Sequence, residues 1–433
     1  MPDEPGAAGS GPGVDGSGIR AVSLDGGLTL VTEAMDNVAS VSLGFWVGTG
    51  GRDEDSRLSG ASHFLEHLLF KGTPERSARA IAQAVDAVGG EMNAFTAREF
   101  TAFYVRLLSS DLDLGLDILC DIMTSPALRP DEIEAERQVI LEEILMHADE
   151  PADLVHEVSA AAIFPGHPLG RDVLGSEESV RAMGRADIRQ FFERHYQPAN
   201  MVVSVAGNVD PGRAREGLER RLGDRSGGER PRRQPPPAQP VPMSVIHRPT
   251  EQAHLVVGMR GPARRDQSRW ALDILNHVLG GGLSSRLFQE IREQRGLAYA
   301  VYSERVAYED SGVLSIYAGT APSRAGEVLA LIRDELDRLV AEGITEAELE
   351  VARGYLRAQS LLSLEDSGAR MSRIGRSQLL HGEVLELEEL LARIEAVTLD
   401  QVHEAARRVL GGPRSLAVVG PFREDDFQPG AVG

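Results

Sequence analysis

Cysteine is almost absent: Cys120 is the only one in 433 residues. A single thiol cannot close an intrachain disulfide, so a disulfide framework is excluded and a reducing, cytoplasmic setting is expected. Cys120 lies in the apolar helical pattern LDLGLDILCDIM and reads as a small buried hydrophobe rather than a nucleophile. Long apolar runs are absent too. No stretch approaches about eighteen uninterrupted apolar residues, so no transmembrane helix and no membrane partner are expected. Positive charge is scarce: 45 Lys and Arg against 66 Asp and Glu give a formal net charge of -21. That balance argues against nucleic-acid binding, which requires basic patches against phosphates. If part of the acidic surplus lined a cavity, it would favour basic substrates. The first residues, MPDEPGAAGSGPGVDGSG, have neither a basic segment followed by an apolar run nor Arg-rich amphipathicity. They read as a disordered tail over 1–18, not as a secretory signal or a transit peptide.

What is present is a repeat. The stretch DRSGGERPRRQPPPAQPVP lacks apolar periodicity and reads as an extended, exposed Pro/Arg-rich linker over 224–243. On either side the same signals recur in the same order. A β-rich run (ASVSLGFWVGTG; QAHLVVGMRG) precedes an apolar helix (GASHFLEHLLF; ALDILNHVLGG). A strand pair and two amphipathic helices follow, and each half closes on a strand before a glycine (NMVVSVAGNVD; SLAVVGPF). The expected fold is therefore α+β, with two homologous domains over 19–223 and 244–425. Each is a mixed, mainly antiparallel sheet with helices packed on one face.

The two copies differ in chemistry. HFLEH, residues 63–67, aligns with Asp273, Ile274, Leu275, Asn276 and His277. DEIEAERQVILEEI aligns with EAELEVARGYLRAQ, so Glu136 meets Ala352 and Glu143 meets Gln359. Residues needed only for folding would persist in both copies. His63 and His67 are one helical turn apart on one face and are able to share a metal. Glu66 borders that face and is able to hydrogen-bond a metal-bound water without ligating the metal. This is the inverted form of the H-E-x-x-H zinc helix. Two imidazoles and one carboxylate suit zinc, with a fourth position left for water. Glu143 is the candidate third ligand, two turns from Glu136 on the same helix face. Glu142, the alternative, points about 100° away and is expected to be solvated.

HFLEHLLFKGT, followed 76 positions after His67 by the second Glu of VILEEI, resembles the M16 zinc peptidases. That family includes pitrilysin, insulin-degrading enzyme and the mitochondrial processing peptidase. GGEMNAFTAREFTAFYV, YQPANMVVSVAGNV and SSRLFQEIREQRGLAYAVYS carry the resemblance across most of the chain, from about Ile19 to Phe422. The length is similar to that of the short bacterial members, whose two-domain subunits pair as halves of a clamshell. The resemblance implies zinc, one per protomer, on His63, His67 and Glu143. It implies Glu66 as the general base and Glu136 as the acid that orients the site. Asn93 and Ala94 would lie on an edge strand that pairs with substrate, and Phe70 would line the pocket just past the cleaved bond. Arg292 and Tyr299, in REQRGLAY, would grip substrate from the partner's second domain. The zinc motif and the Arg/Tyr motif occur in one chain. A homodimer is therefore expected, with a heterodimer containing a related subunit as the alternative.

The function expected is a zinc-dependent endopeptidase that cleaves peptides or unfolded segments in a closed chamber. The alternative on the same fold is a catalytically silent structural or assembly subunit. Intact HFLEH and Glu143 argue against it.

Overall fold

The computed structural model describes residues 18–427 except 224 and 238. The expected tail, apart from Gly18, lies outside the described residues. In the first half the order is β1 (Ile19–Ser23), β2 (Thr29–Ala34), β3 (Ser40–Val47), α1 (Ala61–Leu69), α2 (Ala78–Asp86), β4 (Glu91–Thr96) and β5 (Thr101–Leu108). It continues through α3 (Leu112–Thr124), α4 (Pro130–Asp149), α5 (Pro151–Ile163), α6 (Glu177–Ala182), α7 (Arg185–His195), β6 (Met201–Gly207) and α8 (Pro211–Leu222). The second half has β7 (Met243–His247), β8 (Ala253–Gly261), α9 (Arg269–Gly280), β9 (Ala298–Ala307) and β10 (Gly312–Thr320). It ends with α10 (Ala325–Glu342), α11 (Glu346–Leu362), α12 (Ser367–His381), α13 (Leu387–Glu395), α14 (Leu399–Val409) and β11 (Arg414–Gly420).

The two sheets run β1-β2-β6-β3-β5-β4 and β7-β11-β8-β10-β9. Among the described residues the second repeats the first without a counterpart of β1. Each contains one parallel pair, β2 with β6 and β11 with β7, in an otherwise antiparallel ladder. The strands β4 and β9 occupy matching edges.

Strand periodicity explains how each sheet is covered. On β3, Val41, Leu43, Phe45 and Val47 join a core with the helices of their own half, α1 and α3 among them. The alternate residues point to the opposite face. That face is covered by α12, which comes from the other half: Trp46 packs with Met371, Ile374 and Leu379. The reverse exchange occurs on the second sheet. Leu255, Val257 and Met259 of β8 face their own helices. Val256 faces α5, where Val155 and Val158 meet it. Glycines let the exchanged helices approach. A Cβ at Gly44 would lie 2.5 Å from Met371 Sδ, and one at Gly258 would lie 2.4 Å from Ile163 Cδ1. These strands are therefore buried on both faces and read as continuous small and apolar runs.

A charged cluster closes the seam between the halves. Glu99, in the β4–β5 turn, accepts from Arg52 at 2.6 Å and from Arg264. It also accepts from the backbone N–H of Glu309 at 3.1 Å, in the β9–β10 turn. Arg52 bridges on to Asp310 at 2.7 Å. The linker joins this cluster. Most of it is exposed and carries neither helix nor strand, but the Arg233 side chain reaches inward to Asp53 at 2.8 Å and to the Glu99 carbonyl at 2.7 Å.

Candidate metal centre and active site

Helix α1 turns one apolar stripe inward. Phe64, Leu65, Leu68 and Leu69 are buried in the first core. His63, Glu66, His67 and Phe70 fall on the other side at helical spacing. The helix starts at Gly60, whose φ of 92° and close approach to the Leu174 carbonyl (2.5 Å from a built Cβ) leave room for no side chain. A glycine offers no side-chain cap, and Glu54 supplies one from upstream. Its carboxylate accepts from the backbone N–H groups of Gly60 and Ser62, both at 2.7 Å. Burial outweighs those bonds and pushes the Glu54 carboxyl up to about 8.

Helix α4 crosses α1 and brings Glu143 to the two histidines. His63 Nε2 and His67 Nε2 lie 3.6 and 3.7 Å from the same Glu143 oxygen. The three candidate ligand atoms all lie within 4.8 Å of one another. Ligands about 2.0–2.1 Å from a tetrahedral zinc are separated by about 3.4 Å, so the spacing fits a zinc-sized ion better than direct hydrogen bonds. Burial, followed by the neighbouring His67, lowers the His63 pKa to about 3, so this imidazole is neutral and able to ligate. His67 Nδ1 sits 3.1 Å from Glu136 Oε2. Against a carboxylate that nitrogen carries the proton, which leaves the Nε2 lone pair facing Glu143. Glu136 is itself buried and pairs with Lys71 Nζ at 2.6 Å. Glu142 is exposed on α4, as its helical angle predicts.

Glu66 stands beside this cluster. Thr96 Oγ1, at the end of β4, donates to Glu66 Oε2 at 2.5 Å. Burial raises the Glu66 pKa and Glu143 adds to this, against lowering by Thr96 and His67. A carboxylate tuned upward is a better proton acceptor near neutrality. Asn93, exposed, and Ala94, buried, lie on β4, which pairs with β5 on one side only among the described strands. Phe70 ends α1, half-buried, with its ring 5.9 Å from Phe103.

Arg292 and Tyr299 are placed apart from this group. Arg292 lies in a π-helical turn, Phe288–Gln294, with its guanidinium 4.8 Å from the centre of the Tyr299 ring. Tyr299 is 81% exposed on the edge strand β9. Among the described residues neither makes a hydrogen bond, ion pair or ring contact with His63, Glu66, His67 or Glu143. In the second half the matching helix α9 keeps His277, which stacks on Tyr355 at 4.1 Å, and Asp273 is paired with Arg305 at 2.6 Å. Among the described residues the first-half trio is the only group with metal-ligand spacing.

Sequence reasoning missed Lys71, Thr96 and Glu54. Lys71 had a local signal, four residues beyond His67 on the same helical line. Thr96 and Glu54 act through contacts across the fold and had none.

Comparison with known proteins gives the family and the fold. The family described as Insulinase (Peptidase family M16) matches residues 29–177, and the Peptidase M16 inactive domain matches 182–356. An uncharacterized zinc protease of Streptomyces coelicolor is 46% identical over 419 residues, covering 94% of this chain and 90% of that protein. The uncharacterized zinc protease YmxG of Bacillus subtilis is 37% identical, covering 93% of this chain and 98% of that one. The crystal structure of a protease from Helicobacter pylori superposes with a TM-score of 0.86 at 25% identity, over 93% of this chain and 99% of that chain. The chain belongs to peptidase family M16. It has the two-domain fold of that family. Among the described residues no helix is long and apolar enough to cross a membrane.

Proposed function

We propose that the protein is a zinc-dependent endopeptidase, with one zinc per protomer on His63, His67 and Glu143. The observation that carries this reading is the convergence of three ligand atoms on one point, with the Glu66 carboxylate alongside. Bound there, zinc supplies a Lewis acid that polarises a carbonyl and lowers the pKa of water. The chain's own groups do the rest. Thr96 holds Glu66 Oε2, leaving Oε1 to take a proton from the attacking water and pass it to the leaving amine. Glu136 fixes the His67 tautomer, and Lys71 holds Glu136 in turn. An extended peptide would add to the open edge of β4 beside Asn93 and Ala94, its backbone satisfying that edge. Phe70 would line the wall just past the cut bond. The intact ligand set favours this over a catalytically silent subunit.

Among the described residues Arg292 and Tyr299 make no direct contact with this site in their own chain; Tyr299 stands exposed and Arg292 is half-buried beneath its ring. That suits a role in a partner's site, within a two-fold homodimer whose second domain closes over the facing first domain. A related subunit would serve in the same way. The test is metal analysis with cleavage of a quenched peptide. About one zinc per chain, activity lost to chelation and restored by zinc, is expected. Zinc retained after His63→Ala, with cleavage intact, would refute the assignment.

A further inference from the structure

The whole chain is strongly acidic, yet one cavity is lined by the opposite charge. It has a volume of about 460 Å³ and lies between the far ends of the edge strands β4 and β9. Arg98, Arg264, Arg269, Arg305 and Arg376 line it together with His381. Glu99 is the only acidic residue in its wall. Three of the arginines are neutralised by carboxylates: Arg98 by Glu157 at 2.7 Å, Arg305 by Asp273 at 2.6 Å, and Arg264 by Glu99. Glu99 is shared with Arg52. Two are not. Among the described residues Arg269 makes no ion pair: it donates to the carbonyl of Arg264 at 2.9 Å, its Nη1 lies 3.4 Å from His381 Nδ1, the Asp273 carboxylate that acts on it is already paired with Arg305, and its Nε is buried with no partner. Arg376 makes no side-chain hydrogen bond or ion pair among the described residues. His381 adds no charge of its own. Burial and the surrounding Arg269, Arg264, Arg265 and Arg376 push its pKa down to about 4, so it stays neutral. Unpaired guanidiniums around a partly enclosed space form an anion site.

The cavity adjoins the proposed catalytic group. Thr96 belongs to its wall and also holds Glu66. Along β4, Thr96 is three residues beyond Asn93, a span of about 10 Å. A peptide lying on that edge would bring a residue about two to four positions from the cut bond into the cavity. We propose that this cavity binds a carboxylate of the substrate, so that the peptides cut best carry an acidic side chain or a free C-terminus at that distance. This rests on the peptidase reading above. It reverses the expectation of basic substrates that net charge alone suggests.

The test uses matched quenched peptides with Glu, Gln or Lys two to four positions from the scissile bond, on either side. A further pair compares a free C-terminal carboxylate with its amide. The wild-type chain should show kcat/KM about tenfold higher for Glu over Gln, for free acid over amide, or for both, the worth of one charge-assisted hydrogen bond. Arg376→Gln with Arg269→Gln should bring these ratios close to one, and Arg376→Lys should retain most of the advantage. A merely structural role would not move the ratio. No preference in either comparison, a preference for Lys, or a ratio unchanged in the Gln variants would overturn the proposal. Binding of the same labelled peptides to the Glu66→Gln chain, followed by fluorescence anisotropy, gives an independent reading. If nothing is cleaved, the peptidase reading fails, and a Glu-over-Gln affinity ratio near ten still supports the anion site while a ratio of one refutes it.

Discussion

Replacing Glu99 with Gln should weaken the seam between the two halves more than any surface change. Its side chain is 2% exposed and meets Arg52 and Arg264, which are 1% and 9% exposed. Gln keeps the shape and removes the charge, leaving Arg264 buried without its anion and Arg52 with Asp310 alone. Breaking a buried pair in this way costs about 3–5 kcal/mol, against a total stability of about 5–15 kcal/mol. With an unfolding entropy of about 2.1 cal/mol/K per residue, a chain of 433 residues should lose about 4 °C of Tm if it melts as one unit. Because the cluster joins the β4–β5 turn to the β9–β10 turn and the linker, the single transition should also split toward two. The same carboxylate sets an acid limit. Burial alone would raise its pKa, but Arg264, Arg233 and the Glu309 N–H outweigh burial and hold it below the ordinary value of 4.5. Its contribution is thus present above that value and is lost as pH falls through the lower folded one. Calorimetry across pH 3–7 reads both effects, with a change at the exposed Glu134, Glu134→Gln, as the control. A Glu99→Gln chain melting within a degree of wild type, in one transition, would refute the clamp.

Three further outcomes follow from the packing and the site. Gly354→Ala, with open space around its Cβ, should stabilise by about 0.5–1 kcal/mol. Gly375→Ala places a Cβ 2.1 Å from Trp46 Nε1, so overpacking of about 1–3 kcal/mol should outweigh the same helical gain; thermal melts giving the same sign for both would contradict the exchanged-helix packing. Glu136→Gln should weaken zinc binding about 10–100-fold, measured by chelator competition, because His67 loses the anion that fixes its tautomer. Mixing inactive Glu143→Gln and Tyr299→Phe chains under conditions of subunit exchange should restore roughly a quarter of wild-type sites. No recovery after proven exchange would mean that sites are contained within single chains.

The parts of this architecture legible in the sequence are those set by local periodicity and by the repeat. His63, Glu66 and His67 share a helix face by spacing alone. Glu136 and Glu143 stood out because Ala352 and Gln359 replace them in the second copy. The duplicated sheet order follows the repeated signals. The exchange of α5 and α12 was not legible, because periodicity shows which face is apolar and not what covers it. Gly44 and Gly258 carry the trace of it, as small residues at matching places on β3 and β8. Lys71, Thr96 and Glu54 act through side-chain contacts that only the folded chain creates. Arg233 looked like one more solvated charge in a linker until its carboxylate partners were brought to it.

The account rests on Glu66 moving a proton beside a metal that it does not bind. The most direct measurement is zinc content and quenched-peptide turnover of the Glu66→Gln chain, side by side with wild type. The account predicts about one zinc per chain in both and turnover lower by about 10²–10⁴-fold in the variant, with peptide binding retained. Turnover close to wild type, or loss of zinc together with activity, would contradict it.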